Sequence, residues 1–336
     1  MNINKAPWIR TVKWTVVLLV ITGIFYTIWQ GVGQIRNSSV SIQDFQWQWL
    51  PIASLFYFFS ITICSIYWHI VLLGLGQQPR LRDSLQAFIL GQLGKYFPGK
   101  ALVVIIRTGI IASPKVQPAV AATSVFIETL TYMAVGAGVA SILMVFFIDV
   151  GGWLILLGCG AILLAGLPIF PPVFRSIIKI LRIDRLSTKI ARAASNLKTR
   201  TAVIGWILLP FSWLLVGLSL WATTQLTGIS AVDIDELPRL TACAAMAIVV
   251  GFLSMMPGGL GVRELVLIAI LAPIDPAFDS ATTLIVAVTL RLIWLLTELV
   301  LTIILKGLGF VSKRKSLKTK SGISSQPNPT GSSSDT

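Results

Sequence analysis

The sequence contains few charged residues. Asp, Glu, Lys and Arg make up 12% of its 336 positions, whereas hydrophobic residues make up 55%. A soluble domain typically carries about 25% charged residues, so this composition excludes an ordinary soluble protein. The apolar residues form long runs, and about 20 such residues cross the hydrocarbon core of a bilayer as a helix. The alternating ten-residue segments of a membrane barrel are missing, and the sequence therefore predicts an all-α, polytopic membrane protein.

Cysteine and histidine are also scarce, with three cysteines and one histidine. The cysteines lie inside apolar runs without the paired spacing of a metal site, so we interpret them as packing residues. The sequence has no HExxH or GxSxG motif, and no Walker motif that would bind ATP. We therefore expect no metal and no cofactor, and we do not expect the protein to be an enzyme.

The net charge of +14 does not indicate nucleic-acid binding. Most Lys and Arg residues lie in loops between apolar helices, where they determine membrane topology. The loop 171–202 carries eight of them against one acid, Asp184. By the positive-inside rule, we expect this loop, the N-terminus and the C-terminus to be cytoplasmic. The predicted location is the inner (cytoplasmic) membrane, with several crossings.

Apolar runs predict six complete membrane spans. These lie at 14–33, 50–75, 119–147, 153–170, 203–227 and 281–306. Two further apolar segments, 85–112 and 241–272, are interrupted by the sequences KYFPGK at 95–100 and PGGLG at 257–261. Pro removes a backbone donor and Gly weakens a helix, so both segments are expected to break there. Such breaks are too costly in lipid, so they are expected to face protein or a water-filled cavity.

The topology restricts how the two broken segments cross. The basic loop is cytoplasmic only if the first segment crosses an even number of times, and the cytoplasmic C-terminus requires the same of the second. We therefore predict re-entrant hairpins or pairs of very short crossings. The first would enter from the cytoplasm and the second from outside, which indicates an inverted repeat, the plan of many transporters. The alternative is that these are ordinary Pro-Gly kinks of membrane helices. The repeat is favoured because Gly91 precedes Pro98 by seven residues and Gly251 precedes Pro257 by six.

Two other regions have a distinctive composition. Residues 173–197 form an amphipathic stretch, which either lies on an anionic leaflet or is an ordinary cytoplasmic loop. The end of the chain is rich in Ser, Pro and Gly, which is typical of disorder. We therefore predict one transmembrane domain over residues 1–311 and a disordered cytoplasmic tail over 312–336.

Eight ionisable residues remain at membrane depth once the loops are assigned. They are Lys95, Lys100, Arg107, Glu128, Arg263, Glu264, Arg291 and Glu298. A charge at the bilayer centre costs at least about 3 kcal/mol, so these residues are expected to pair or to line a cavity. Five are basic and three acidic, which suits an anionic group such as a lipid phosphate. The expected partner of Glu128 is Arg107, Arg291 or Arg263, and structural pairing is the favoured interpretation of Glu298.

Two stretches resemble the motifs of a known family. LGKYFPGK at 93–100, with Arg107, and PGGLGVRE at 257–264 are similar to the two hallmarks of the lysylphosphatidylglycerol synthase transmembrane family, over roughly residues 10–310. The resemblance implies a flippase-like domain that moves lipids between leaflets. The best-studied members fuse this domain to an aminoacyl-lipid synthase, but the sequence after the last helix is too short for one. We therefore expect a stand-alone membrane domain.

These observations define a candidate substrate-binding set and three hypotheses. The set comprises Lys95, Pro98, Gly99, Lys100, Arg107, Glu128, Pro257, Gly258, Gly259, Gly261, Arg263, Glu264 and Arg291. The first hypothesis is a flippase-like transporter for a lipid with an anionic or polyprenyl-linked headgroup. The second is an accessory subunit or scaffold of a cell-envelope pathway, and the third and least favoured is a lipid-modifying enzyme. The expected partners are membrane lipids, with a homodimer or an envelope-biosynthesis protein as further options.

Overall fold

The computed structural model describes residues 45–96, 101–148, 195–228, 232–254, 261–271 and 280–323, together with isolated residues outside these ranges. In the last range, side chains are described as far as residue 307. The regular elements of the described ranges are helices, which confirms the predicted all-α class.

The helices whose bounds lie in the described ranges are numbered in chain order. They are α1 Trp49–Gly74, α2 Leu81–Gln92, α3 Ala101–Ile111, α4 Pro118–Phe147, α5 Thr199–Thr227, α6 Leu237–Leu253, α7 Val262–Leu271 and α8 Ser280–Ile323. Short 3-10 turns extend two of them, Leu93–Tyr96 after α2 and Ile234–Glu236 before α6. The predicted breaks thus fall between α2 and α3 and between α6 and α7.

Five helical stretches in the described part of the chain are long and apolar enough to cross a membrane. They are Trp49–Gly74, Pro118–Phe147, Thr199–Thr227, Ile234–Leu253 and Ser280–Gly307. Four of them confirm the long apolar helices predicted from residues 50, 119, 203 and 281 onward. The crossings predicted at 14–33 and 153–170, and the amphipathic stretch 173–197, lie outside the described ranges.

The helix before the second break is longer than the sequence pattern predicts. The pattern starts this segment near residue 241, but the 3-10 turn and α6 together begin at Ile234. Pro238 lies in the first turn of α6, where its missing N–H has no helical partner to lose, so it starts the helix instead of preventing it. As a result, Ile234–Leu253 is by itself long enough to span the bilayer, rather than a short arm.

The last helix also extends beyond its predicted end. α8 continues to Ile323, whereas the sequence predicts a disordered tail from residue 312. Residues 313–320 are mostly Lys, Arg and Leu, which favour helices, and no proline occurs among them. Residues 324–336 lie outside the described ranges.

Small residues bring α1 and α5 into close contact along their length. The hydroxyls of Ser60 and Ser212 are 2.8 Å apart, and Ser219 donates a hydrogen bond to the carbonyl of Ala53 at 3.0 Å. Gly205 leaves room for the ring of Tyr67. Such small-residue interfaces are typical of membrane helices, which lack a hydrophobic driving force for association.

One end of the bundle is acidic, and we call it the acidic end. There the backbone N–H of Gln46, just before α1, donates to the carbonyl of Leu226 at 2.8 Å. Arg239 donates to the carbonyl of Phe147 at 2.8 Å, which joins the start of α6 to the end of α4. The acidic residues at this end are Asp233, Asp235 and Glu236.

The opposite end is basic, and we call it the basic end. Gln78, before α2, donates its backbone N–H to the carbonyl of Lys115, after α3, at 3.3 Å. The side chain of Gln77 accepts a hydrogen bond from the backbone of Gln117 at 2.8 Å. Both ends of the α2–α3 segment therefore lie at the basic end. The basic residues here are Arg80, Arg82, Lys115, Lys198 and Arg200.

Candidate functional site

A cavity of about 510 Å³ lies between the two broken segments. Both arms of each segment contribute to its wall, with Phe88 and Val103 from the first and Gly251 and Arg263 from the second. α1, α4, α5 and α8 complete the wall. The volume falls in the range of about 300–1,000 Å³ that is typical of small-molecule sites.

The cavity collects most of the predicted charged residues. Lys95, Arg107, Glu128, Arg263 and Arg291 all line it. Glu264 lies beside a smaller cavity of about 30 Å³, which also contacts Arg263 and Arg291.

The other predicted site residues are glycines, prolines and one lysine. Gly261 precedes α7 in a left-handed conformation with φ of 78°, which favours glycine. It is not among the residues that line the cavity. The remaining predicted residues lie outside the described ranges, namely Pro98, Gly99, Lys100, Pro257, Gly258 and Gly259.

Arg107 forms a buried ion pair with Glu128. Its Nη1 lies 2.7 Å from the carboxylate, and the side chains are only 4% and 5% exposed. The guanidinium also packs on aromatic rings, 3.8 Å from the centroid of Phe88 and 5.5 Å from that of Trp68. The sequence named Arg107 among three possible partners of Glu128, and the structure confirms it. A cation held in this way is neutralised by the acid and covered by the rings.

Arg291 forms the second ion pair, with Glu264. Nη1 of Arg291, on α8, donates to the Glu264 carboxylate in the first turn of α7. The two side chains are 12% and 9% exposed. The sequence singled out both residues but not their pairing, because 27 positions separate them.

The third ion pair joins Lys95 to Glu298. The Glu298 carboxylate is fully buried, and the same oxygen accepts a hydrogen bond from Tyr57. Lys95 Nζ also lies 3.0 Å from the Tyr57 hydroxyl, and Tyr57 stacks on Trp294 with centroids 4.8 Å apart. The sequence analysis missed Tyr57 and gave Glu298 no partner. The only sequence signal for the position of Glu298 is its spacing of seven residues from Arg291, which places both residues on one helix face.

Arg263 differs from the other three cations. It lines the cavity, yet it forms no salt bridge within the described ranges. Its Nε has no hydrogen-bond partner there, as is also true of Nε of Arg107, so the missing salt bridge is what distinguishes Arg263. A guanidinium that faces a cavity and forms no salt bridge with a carboxylate is suited to bind an anion through charge-assisted hydrogen bonds.

Both broken segments repeat one local contact between a glycine and an arginine. A Cβ added at Gly91 would lie 3.1 Å from Nε and 3.3 Å from Cδ of Arg107. A Cβ added at Gly251 would lie 3.0 Å and 3.3 Å from the same atoms of Arg263. In each segment, an arginine after the break therefore lies against a glycine before it.

The charges around the cavity do not balance. The cations are Lys95, Arg107, Arg263 and Arg291, and the carboxylates near them are Glu128, Glu264 and Glu298. Among the described residues, the site thus holds one more cation than carboxylates. The arrangement suits a negatively charged ligand.

The chain matches the model of a known protein family. The family model described as the lysylphosphatidylglycerol synthase TM region matches residues 14–304. This match includes every described residue of the cavity wall. A search of curated proteins finds no match to the chain.

Proposed function

Because the chain belongs to the lysylphosphatidylglycerol synthase TM region family, we propose that it is a flippase-like transporter that moves between leaflets a lipid whose phosphate headgroup carries a net negative charge. The observation that carries this proposal is the cavity, which brings four cations together among apolar helices. Charges at membrane depth are costly, so an excess of cations indicates that an anion is handled there. The lipid crosses without any change in its covalent bonds, and the protein therefore needs no catalytic group.

In this mechanism, the headgroup enters the cavity while the acyl or prenyl tails remain in the bilayer. The volume of about 510 Å³ accommodates a headgroup. Large apolar side chains such as Phe126, Phe211 and Ile303 are exposed on the outside of the bundle, where they would contact lipid. Arg263 binds the phosphate first, because no carboxylate in the described ranges competes for it.

We also propose that the first broken segment is a re-entrant hairpin and that the two broken segments are related as an inverted repeat. The matching Gly91–Arg107 and Gly251–Arg263 contacts support this relation. In both halves, the arm after the break forms an ion pair with the next helix, α3 with α4 and α7 with α8. Inverted repeats with broken helices at their interface are a common basis for alternating access.

The orientation we propose places the basic end in the cytoplasm. Its five basic residues contrast with the three acids of the other end, as the positive-inside rule requires. Both termini would then lie on the cytoplasmic side of the inner membrane.

A flipping assay tests the proposed function. The purified protein is reconstituted in liposomes with phosphatidylglycerol labelled on an acyl chain, and a membrane-impermeant quencher reports which leaflet holds the label. Arg263→Ala and Glu264→Ala are expected to abolish translocation while the protein stays folded and monodisperse. Arg263→Ala is the cleaner variant, because it leaves no carboxylate without its salt bridge.

Arg239→Ala is the matched control, since Arg239 is a cation at the acidic end, paired with Glu236. It should translocate phosphatidylglycerol at the wild-type rate. Wild-type translocation in both Arg263→Ala and Glu264→Ala would contradict the site assignment. A wild-type protein that translocates no phosphate-bearing lipid would contradict the function itself.

A further inference from the structure

The three ion pairs of the site connect different parts of the molecule. Arg107–Glu128 joins α3 to the next helix, and Arg291–Glu264 joins α8 to the helix before it. Lys95–Glu298 instead joins the 3-10 turn Leu93–Tyr96, at the break of the first segment, to α8, 203 positions away along the chain. Within the described ranges, it is the one salt bridge that fastens the first broken segment to α8.

This ion pair is also the one most open to exchange. The Lys95 side chain is 26% exposed and lines the cavity, whereas Glu298 is fully buried and does not line it. Lysine carries a compact charge on a flexible stem and has three donors, so it reorients easily. An anion in the cavity can therefore reach Lys95 without contacting Glu298.

Glu298 has a second partner that would remain if Lys95 moved away. Tyr57 on α1 donates its hydroxyl to the same carboxylate oxygen, and its ring is fixed by stacking on Trp294. The carboxylate would therefore keep one hydrogen bond after the loss of its cation. This lowers the cost of breaking the ion pair, because a buried acceptor left with no partner is expensive.

We propose that Lys95–Glu298 is a ligand-displaced latch, in which the phosphate of the headgroup competes with Glu298 for Lys95. Binding of the anion releases the 3-10 turn Leu93–Tyr96 from α8 and frees this turn to move. This inference rests on the proposed function and specifies how the site responds to its ligand. A ligand shifts a conformational equilibrium only through differential affinity for the two states, and here Lys95 binds the ligand more strongly once its charge is no longer shared with Glu298.

The competition predicts that removing the carboxylate tightens ligand binding. Glu298→Gln keeps an acceptor for Tyr57 but removes the charge that holds Lys95. The dissociation constant for phosphatidylglycerol should fall about tenfold, the effect of about 1.4 kcal/mol. Lys95→Gln should raise it about tenfold, and the double variant should match Lys95→Gln, because the carboxylate acts only through the lysine. A purely structural ion pair would give no variant with tighter binding.

The measurement is a titration of acyl-labelled phosphatidylglycerol against the full-length protein in phosphatidylcholine nanodiscs, followed by anisotropy. Glu236→Gln is the matched control, since it removes a carboxylate paired with Arg239 outside the cavity, and it should bind as the wild type does. Equal or weaker binding by folded Glu298→Gln would overturn the latch. A wild-type protein that does not prefer phosphatidylglycerol over labelled phosphatidylcholine would instead refute the proposed function.

Hydrogen exchange of the wild-type protein provides a second test that needs no variant. Peptides that cover residues 93–111 should exchange faster in nanodiscs with phosphatidylglycerol than in phosphatidylcholine alone. Peptides from α5 should not change. Identical exchange of 93–111 in both lipids would overturn the latch.

Discussion

The two broken segments share a backbone plan but treat their arginines differently. In the first, Arg107 lies against Gly91, pairs with Glu128 and is covered by Phe88 and Trp68. In the second, Arg263 lies against Gly251 in the same way. It has neither a carboxylate partner nor a stacked ring within the described ranges.

This difference indicates a division of roles between two similar pieces of structure. A neutralised and covered guanidinium interacts mainly with protein, and removal of one partner of such a buried pair is strongly destabilising. A guanidinium that faces a cavity and forms no salt bridge with a carboxylate adds little stability. It keeps its hydrogen-bonding capacity for a ligand. The first segment is therefore the structural member of the pair, and the second is the binding member.

The largest expected effect is on stability when the Arg107–Glu128 pair is broken. Arg107→Ala leaves the buried Glu128 without its cation, and loss of one partner of a buried pair costs about 3–5 kcal/mol. Arg263→Ala should cost far less, because it separates no ion pair. Thermal unfolding in detergent, followed by size-exclusion chromatography, compares the two variants. Equal destabilisation would remove the distinction between the segments.

A smaller effect is expected from filling the two glycine contacts. Gly91→Ala pushes a methyl group against Arg107, which Glu128 and Phe88 hold in place, so overpacking should cost about 1–3 kcal/mol. Gly251→Ala meets Arg263, whose side chain is free to shift into the cavity, and should cost less than Gly91→Ala. The same unfolding measurement orders the two variants. A reversed order would show that Arg263 is the more rigid of the two.

The smallest effect concerns the aromatic cover of Arg107. The Phe88 ring lies 3.8 Å from the guanidinium carbon, and a desolvated cation–π contact contributes up to about 2 kcal/mol. A double-mutant cycle of Phe88→Leu with Arg107→Gln should give a coupling energy of about 1 kcal/mol. Additive effects in the cycle would mean that the ring only fills space.

The sequence predicted much of the fold, because hydrophobic length and Pro-Gly breaks are local signals. These signals directly predict the long apolar helices that begin near residues 50, 119, 203 and 281. They also predict the two interruptions. The start of α6 was misplaced, because Pro238 looks the same in a loop as in the first turn of a helix. The position of a proline relative to a helix start depends on the packing of the preceding turn.

The site was predictable as a set of residues but not as a set of pairs. The cost of charge in lipid singled out Arg107, Glu128, Arg263 and Arg291, and all four line the cavity. The pairing of Lys95 with Glu298 spans most of the chain and depends on how the helices are arranged around one another. Tyr57 carries no charge and sits in an apolar run, so nothing in the sequence distinguishes it from an ordinary packing residue.

The most direct test compares translocation of labelled phosphatidylglycerol by two neutralised variants in the same liposomes. Arg107→Gln/Glu128→Gln removes both members of the structural pair, which can be nearly neutral for stability. Arg263→Gln removes only the cation that forms no salt bridge in the described part of the chain. The account predicts that the double variant still translocates the lipid and that Arg263→Gln does not. Translocation by Arg263→Gln together with its loss in a folded double variant would contradict it.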